Sequence, residues 1–425
     1  MPGYIEDRWW TKKPDPATGK KRKTARYGQG KRYRVAGIPG VRDRSFEKLG
    51  GPDGAQAWLA KAQHESVTGE FVDPRRGEIT LGAYIDDHWW PTYPTRDPAT
   101  VQTVASRVTH IKTLLGEQPL KLLRAPQMRA FLKELEERVG ASTTHEVWGY
   151  LSAILQSAVE DERIRKNPCK TKSITLPTIP ERRVQPWSKP RILAVRSALT
   201  ARFQAMVDVG VGAGLRQGEV FGLSADDVDE DEQVIHVRRQ VKKVGAKLVF
   251  ALPKGRKIRT VPAPEYLLKQ LAAHTATFPP QDVSLPWADP APPTTEKEAK
   301  ERAPQTHRLI FTSPTGCALR RDSFDLRAWK PALAQVGIIP APESVRQGAR
   351  GRQVKKYATA PGDGFHVLRH TYASVQLDAR EPIVAVSRWL GHADPAITLK
   401  IYAHMMPEAD GRGRAAMDAW FTDDS

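Results

Sequence analysis

Near the C-terminal end of the 425-residue sequence, His366, Arg369 and His370 are followed by His392 and then by Tyr402. A guanidinium offers paired N–H donors to an anion, imidazoles move protons near neutral pH, and a phenol can act as a nucleophile. Together they suit an anionic substrate, and a phosphodiester fits best, because cations can neutralise its non-bridging oxygens while the phenol attacks phosphorus. The spacing of His366 and His370 is also that of a helical metal-ligand pair. The pair encloses Arg369 rather than the acidic residue of a zinc protease, and the charge of Arg369 would repel the metal. His370 is expected to be a structural hydrogen-bonding residue outside the reacting set.

The neighbouring pattern supplies the elements that must hold these groups. The spacing predicts a helix over Phe365–Leu377, with Leu368, Tyr372 and Val375 as a buried stripe and His366, Arg369 and His370 on an opposite, cationic face. Pro382 opens a second helix on which Ile383, Val386 and Leu390 repeat, and Gly391 caps it just before His392. Asp394 and Pro395 read as N-cap and first residue of a third short helix that carries Tyr402.

The order H-x-x-R-H, then W-L-G-H, then a tyrosine ten residues beyond that histidine resembles the C-terminal catalytic block of tyrosine site-specific recombinases, the phage and integrative-element integrase family. The resemblance implies that His366, Arg369, His392 and Tyr402 are four of six active-site residues, with Tyr402 the nucleophile. GAGLRQGEVFGL holds a G-x-R-x-x-E core similar to the family's first arginine motif, which adds Arg216, with Glu219 as its salt-bridge support. K-x-x-K-x-R-x-V-P matches the family's catalytic lysine at Lys254, and a shift of register would move it to Lys257.

By that resemblance Tyr402 forms a 3′-phosphotyrosyl link, Arg216 and Arg369 clamp the phosphate, and His392 bonds a phosphate oxygen. His366 serves as base or orienter of the phenol, and Lys254 protonates the departing 5′-oxygen. No cofactor, metal or ATP is implied. The partners implied are double-stranded DNA at a core crossover site and at arm sites, a homo-tetramer on that DNA, and accessory host or excision factors. A type IB topoisomerase and a catalytically inactive DNA-binding regulator are the competing readings. The second would have no use for a nucleophile beside a phosphate clamp.

Composition agrees with a nucleic-acid partner: 66 Lys or Arg stand against 48 Asp or Glu, a formal charge of +18. Cys169 and Cys317 are the only cysteines, so neither a disulfide framework nor a cysteine-based zinc site is expected. Neither a membrane span nor a signal peptide is apparent, and a cytoplasmic, nucleoid-associated bacterial protein is expected.

The fold class expected is α+β and multidomain. Residues 1–75 are expected to form a small basic β-sheet with one helix, weakly similar to the arm-type DNA-binding domain of integrases. Residues 1–50 alone hold 14 basic against 5 acidic residues, with aromatics interleaved. Arg22, Lys23, Arg26, Lys31, Arg32 and Arg34 are its candidate DNA contacts. In that segment YIEDRWW, RYRVAG and DRSFEK read as strands and Asp53 as a helix cap. Four helices over 79–170 would form a core-binding bundle, and 171–186 a basic linker. The catalytic domain, mainly helical with a small antiparallel sheet of three strands (VIHVRRQV, AKLVFALP, KIRTVPAP), would fill 187–425. Residues 278–306, with seven prolines, read as a surface insertion or flexible loop. The loop from Pro340 to Gly364 reads as a second DNA-contacting segment. Met417, Trp420 and Phe421 are the apolar anchors of a tail that packs either in cis or on a neighbouring subunit.

Overall fold

Three short strands, β1 (Tyr4–Asp7), β2 (Tyr33–Ala36) and β3 (Arg44–Phe46), pair antiparallel in the order β1-β2-β3, with Ile5 opposite Val35 and Tyr33 opposite Phe46. Helix α1 (Ala55–Val67) packs on them, and Val35, Ile38, Phe46, Ala55 and Ala62 form the buried centre. The helix starts after Gly54 rather than Asp53, so Asp53 lies outside the cap position.

This computed structural model describes residues 3–38, 41–67, 76–94, 97–180, 185–347, 352–405 and 412–422. Most of the 71–78 connector and the middle of the 171–186 linker therefore lie outside the described residues. The chain divides into one unit of Met1–Arg96 and Thr100–Pro180 and a second of Asp97–Ala99 and Glu181–Ser425.

The rest of the first unit is helical. The Thr80 hydroxyl accepts from the Ala83 N–H and opens a short turn at Leu81–Tyr84. Then follow α2 (Pro98–Leu115), α3 (Ala125–Arg138) and α4 (Ala141–Glu160). Val147, Leu151, Ile154, Leu155 and Ala158 recur at helical spacing on α4 and are all buried, against Leu81, Tyr84, Ile111, Met128 and Phe131. A fully buried leucine or isoleucine contributes about 1.5–3 kcal/mol, so this stripe rather than helix propensity holds the bundle together.

The second unit opens with α5 (Lys189–Ala198), α6 (Ala201–Gly212) and the short α7 (Gln217–Phe221). VIHVRRQV is two strands, not one. β5 (Val234–Val237) joins β4 (Val228–Asp229) and β8 (Arg259–Pro262) in one sheet, while β6 (Gln240–Val244) pairs with β7 (Lys247–Ala251) in another. The break is at Arg239, whose buried guanidinium turns out of the strand to bond Asp227 and the Gly222 carbonyl.

Residues 278–306 are also more ordered than a loop. After α8 (Glu265–Thr277), β9 (Gln281–Leu285) pairs with β10 (Gln305–Leu309), with Val283 buried and a helical turn at Glu296–Glu301 between them. The 340–364 loop likewise contains an antiparallel pair, β11 (Glu343–Gln347) with β12 (Arg352–Lys356).

Three helices complete the core: α9 (His366–Asp378), α10 (Ile383–Leu390) and α11 (Pro395–Tyr402). A final helix, α12 (Arg412–Thr422), leaves Met417, Trp420 and Phe421 exposed, the last two at 70% and 71%. Among the described residues no helix is long and apolar enough to cross a membrane.

Candidate active site

Local capping brings the motif residues into place. Gly391 ends α10 in the left-handed conformation, φ 64°, which turns the chain to His392. A Cβ there would come within 3.0 Å of the Arg259 side chain, so the position needs glycine for space as well as for φ. Asp394 caps α11 by accepting from the Ala396 N–H at 2.9 Å. The buried side of α10 carries Val386 and Leu390, as its periodicity predicts.

On α9 the burial differs from the expected stripe. Val375 is 58% exposed, whereas Arg369, expected on an open cationic face, is 1% exposed. Helix α9 is enclosed on several sides, with Val367, Leu368, Thr371, Tyr372 and Leu377 all buried. Arg369 is accommodated because its Nη1 donates to the Gly214 carbonyl at 2.8 Å and its Nη2 to the Leu390 carbonyl. Burial first, and then the neighbouring Arg216, lower its pKa to about 9, which still leaves it charged at neutral pH.

Arg216 sits at the N-terminus of α7, where Glu219 accepts from its backbone N–H at 2.9 Å and from its Nη1 at 3.0 Å. Glu219 is itself buried and takes a second guanidinium: Arg259 on β8 donates from Nη1 at 3.0 Å and from Nη2 at 2.6 Å. Burial opposes ionisation of this carboxyl, but the Arg259 hydrogen bonds and charge, aided by Arg216, prevail and hold it near 2. Arg259 Nε donates to the Trp389 carbonyl at 2.6 Å, three residues before His392. Arg259 thus ties the Arg216 turn to the His392 turn. The sequence carries a signal for this residue, a charged side chain at an inward position of an alternating strand.

The phenol of Tyr402 is buried and hydrogen-bonded at 2.7 Å to His370 Nδ1. His366, expected to be the base or orienter of that phenol, instead packs edge-on against the His370 ring, centroids 4.7 Å apart. His392 Nδ1 is 2.7 Å from the hydroxyl of Thr398, which is fully buried. Burial and then Arg369 lower both His370 and His392 to about 4, so both are neutral at pH 7. His366 is lowered as well, by desolvation and then by His370 and Arg369. Burial raises Tyr402 to about 12 even though Arg369 and Arg216 pull in the other direction.

A cavity of about 1060 Å³ in the second unit is lined by Arg216, His366 and His370, with Arg191, Lys242, Lys243 and Arg321 adding positive charge. Of the six expected residues, five lie in one electrostatic neighbourhood: Arg216, His366, Arg369, His392 and Tyr402. Lys254 is not among them. Lys254 and Lys257 are both exposed on the turn between β7 and β8, and Lys254 has no hydrogen bond or ion pair among the described residues.

The six N-terminal candidates are all on the small sheet domain. Arg22 pairs with Asp15, Arg34 with Asp43, and Arg32 with Asp7 at 2.8 Å, while Lys23 lies 4.1 Å from the centre of the Tyr27 ring. Arg26 and Lys31 are exposed.

Comparison with known proteins adds four findings. A family model described as "Phage integrase central domain" matches residues 84–173. A "Tyrosine recombinase XerC-like" protein of Caldanaerobacter subterraneus subsp. tengcongensis is 26% identical over 358 residues, covering 78% of this chain and 81% of that protein. An "Integrase" of Mycobacterium phage FRAT1 is 25% identical over 356 residues, covering 81% of this chain and 92% of the relative. Among solved structures, the Tn1549 transposon integrase in complex with a circular intermediate DNA matches with a TM-score of 0.59 at 17% identity, over 80% of this chain and 99% of that one. That likeness shows the fold.

Proposed function

We propose that this chain is a tyrosine recombinase of the integrase family, a site-specific DNA strand-transferring enzyme of phages or mobile elements, and that its six expected residues work as follows. Tyr402 attacks the scissile phosphate and forms a 3′-phosphotyrosyl link. Arg216 and Arg369 bind the non-bridging oxygens. Arg369 spends two of its five N–H donors on carbonyls, which fixes the guanidinium plane and leaves donors for the phosphate. With Thr398 donating to Nδ1, His392 carries its proton on Nε2, and that N–H donates a hydrogen bond to a phosphate oxygen. His366 presents its ring in the cavity beside Arg216 and contacts the phosphate from that side.

Lys254, on its exposed turn, reaches the departing 5′-oxygen once DNA occupies the site, and protonates it. A free 5′-hydroxyl then reverses the step on a partner strand, conserving the bond energy. The observation that carries this reading is a buried phenol that feels the charges of both Arg216 and Arg369 and is hydrogen-bonded to a neutral imidazole.

In the same reading, residues 1–75 are an arm-type DNA-binding domain, 79–170 a core-binding helical domain, 171–186 a linker and 187–425 the catalytic domain. Two strand exchanges take place in a homo-tetramer. The exposed Met417, Trp420 and Phe421 of α12 dock on a neighbouring subunit, and accessory host or excision factors set the direction. The enzyme works inside the bacterial cell, on the nucleoid.

The test is a nicked suicide duplex carrying the attachment sequence that flanks the gene. Wild-type protein becomes covalently joined to it, and Tyr402→Phe binds it equally well without forming the adduct, since only the attacking oxygen is lost. A normal yield of protein-linked DNA from Tyr402→Phe removes the nucleophile assignment. A wild-type protein that binds the duplex yet never forms the adduct is a DNA-binding regulator.

A further inference from the structure

The phenol of Tyr402 has a single hydrogen-bonding partner among the described residues, and it is not one of the six residues expected at the site. That partner is His370 Nδ1, 2.7 Å away, on the helix that also carries His366 and Arg369. His370 also lines the cationic cavity, whereas Tyr402 does not. One imidazole therefore touches the nucleophile at one edge and faces the space open to the phosphate at another. We infer that His370 is the base that takes the phenol proton when Tyr402 attacks, and that His366 is not. The inference rests on the reading of Tyr402 as nucleophile.

The proton inventory of this pair balances. With the phenol O–H donating, Nδ1 carries the lone pair and Nε2 carries the proton. As the phenol oxygen forms its bond to phosphorus, its O–H bond breaks and the proton passes to Nδ1, leaving His370 an imidazolium. Lys254 gives a separate proton to the departing 5′-oxygen. In the reverse step, the attacking 5′-hydroxyl returns a proton to Lys254 and His370 returns its own to the released phenol.

The groups around His370 explain why this base rests until DNA arrives. Arg369 and His366 share its helix, Arg216 faces the same cavity from α7, and Arg191, Lys242, Lys243 and Arg321 line the cavity beyond. Only Asp325 and Asp363 among the lining residues carry negative charge. In the DNA-free protein burial first, and then the charge of Arg369, oppose protonation of His370 and lower its pKa. A phosphodiester seated on the two arginines adds negative charge beside the ring and favours the imidazolium. Substrate binding thereby prepares the base without any change in covalent structure.

His370→Asn tests this. An asparagine side-chain oxygen falls near the place of Nδ1 and can still accept the phenol's hydrogen bond, but it cannot take the proton. Expected with the suicide duplex is unchanged DNA affinity and adduct formation slower by roughly 10²- to 10⁴-fold, the range for a lost general base. Incorporating a ring-fluorinated tyrosine at 402, which ionises more readily, is expected to restore at least about ten-fold of that loss, because a more acidic phenol depends less on its base. His370→Gln serves as a second variant should the asparagine protein fold poorly.

Wild-type rates in either folded variant overturn the inference, and so does failure of the fluorinated residue to restore His370→Asn, since a merely positioning histidine gives no such rescue. Each of these outcomes, with Tyr402→Phe inactive, leaves the nucleophile in place. Adduct formation by Tyr402→Phe instead overturns both.

Discussion

The N-terminal sheet domain and the centre of the catalytic unit are both rich in cations and handle them in opposite ways. On the small sheet, Arg32 and Arg34 each meet a partly exposed carboxylate, the exposed Arg22 meets the buried Asp15, and Lys23 and Arg32 lie over aromatic rings. Arg26 and Lys31 are simply exposed. Water and salt screen such charges, so each contact counts for little and the sum of the field does the work. In the catalytic unit Arg259 and Arg369 are 7% and 1% exposed, and each of their described hydrogen bonds goes to a carbonyl or to the carboxylate of Glu219. A buried charge must be fully compensated, and compensation fixes its position. The first arrangement suits binding along a polyanion, and the second suits placing a few donors to within a fraction of an ångström.

Lys254 crosses this division and gives the largest expected effect, because it is a surface cation that acts at one atom. Lys254→Ala is expected to cleave normal DNA slower by roughly 10²- to 10⁴-fold, and to recover near wild-type cleavage on a 5′-phosphorothiolate duplex, whose sulfur leaves without a proton. Arg216→Ala is not expected to recover. If the sulfur rescues Lys257→Ala and not Lys254→Ala, the acid is Lys257.

Removing the buried compensation comes next. Glu219→Gln leaves Arg259 without its counter-charge and is expected to destabilise the catalytic unit by about 3–5 kcal/mol, read as a lower denaturant midpoint in the DNA-free protein. Asp7→Asn, which unpairs the surface Arg32, is expected to leave the midpoint almost unmoved. Equal shifts from the two substitutions would erase the distinction between the regions.

On the surface side, a chain shortened to begin at residue 76 is expected to keep crossover-site binding and to lose high-affinity binding at arm sites. If residues 1–75 contact about six phosphates, log K for the full chain falls with log salt roughly five units more steeply. Equal slopes would show that the basic sheet does not bind DNA.

The smallest effect concerns acid. His370 and His392 ionise near 4 in the folded protein against 6.5 ordinarily. Between those values the unfolded chain binds more protons, so their contribution to stability is complete above about pH 6.5 and declines as pH falls toward 4. The melting temperature of the catalytic unit is therefore expected to drop between pH 7 and pH 5. A flat profile would mean that these imidazoles are not held neutral.

The sequence by itself determined the features whose cause lies within a turn or two of chain. Gly391 and Asp394 cap their helices because caps bond to neighbours two to four residues away. The apolar stripe of α4 followed from a periodicity of the same reach, and the motif spacings singled out Arg216, His366, Arg369, His392 and Tyr402 because each motif is short and local.

Tertiary structure decided what depended on distant partners. Arg369 is buried rather than open because its acceptors include Gly214, 155 positions away, and Val375 takes the exposed position instead. VIHVRRQV divides between two sheets because Arg239 finds Asp227. The proline-rich 278–306 stretch contributes to a hairpin because Gln281–Leu285 meets Gln305–Leu309. Above all, the choice of His370 over His366 as the partner of Tyr402 lies in the packing of α11 against α9. Both histidines lie within one turn of Arg369 and both line the cavity, and no spacing along the chain distinguishes the ring that meets the phenol from the one that does not.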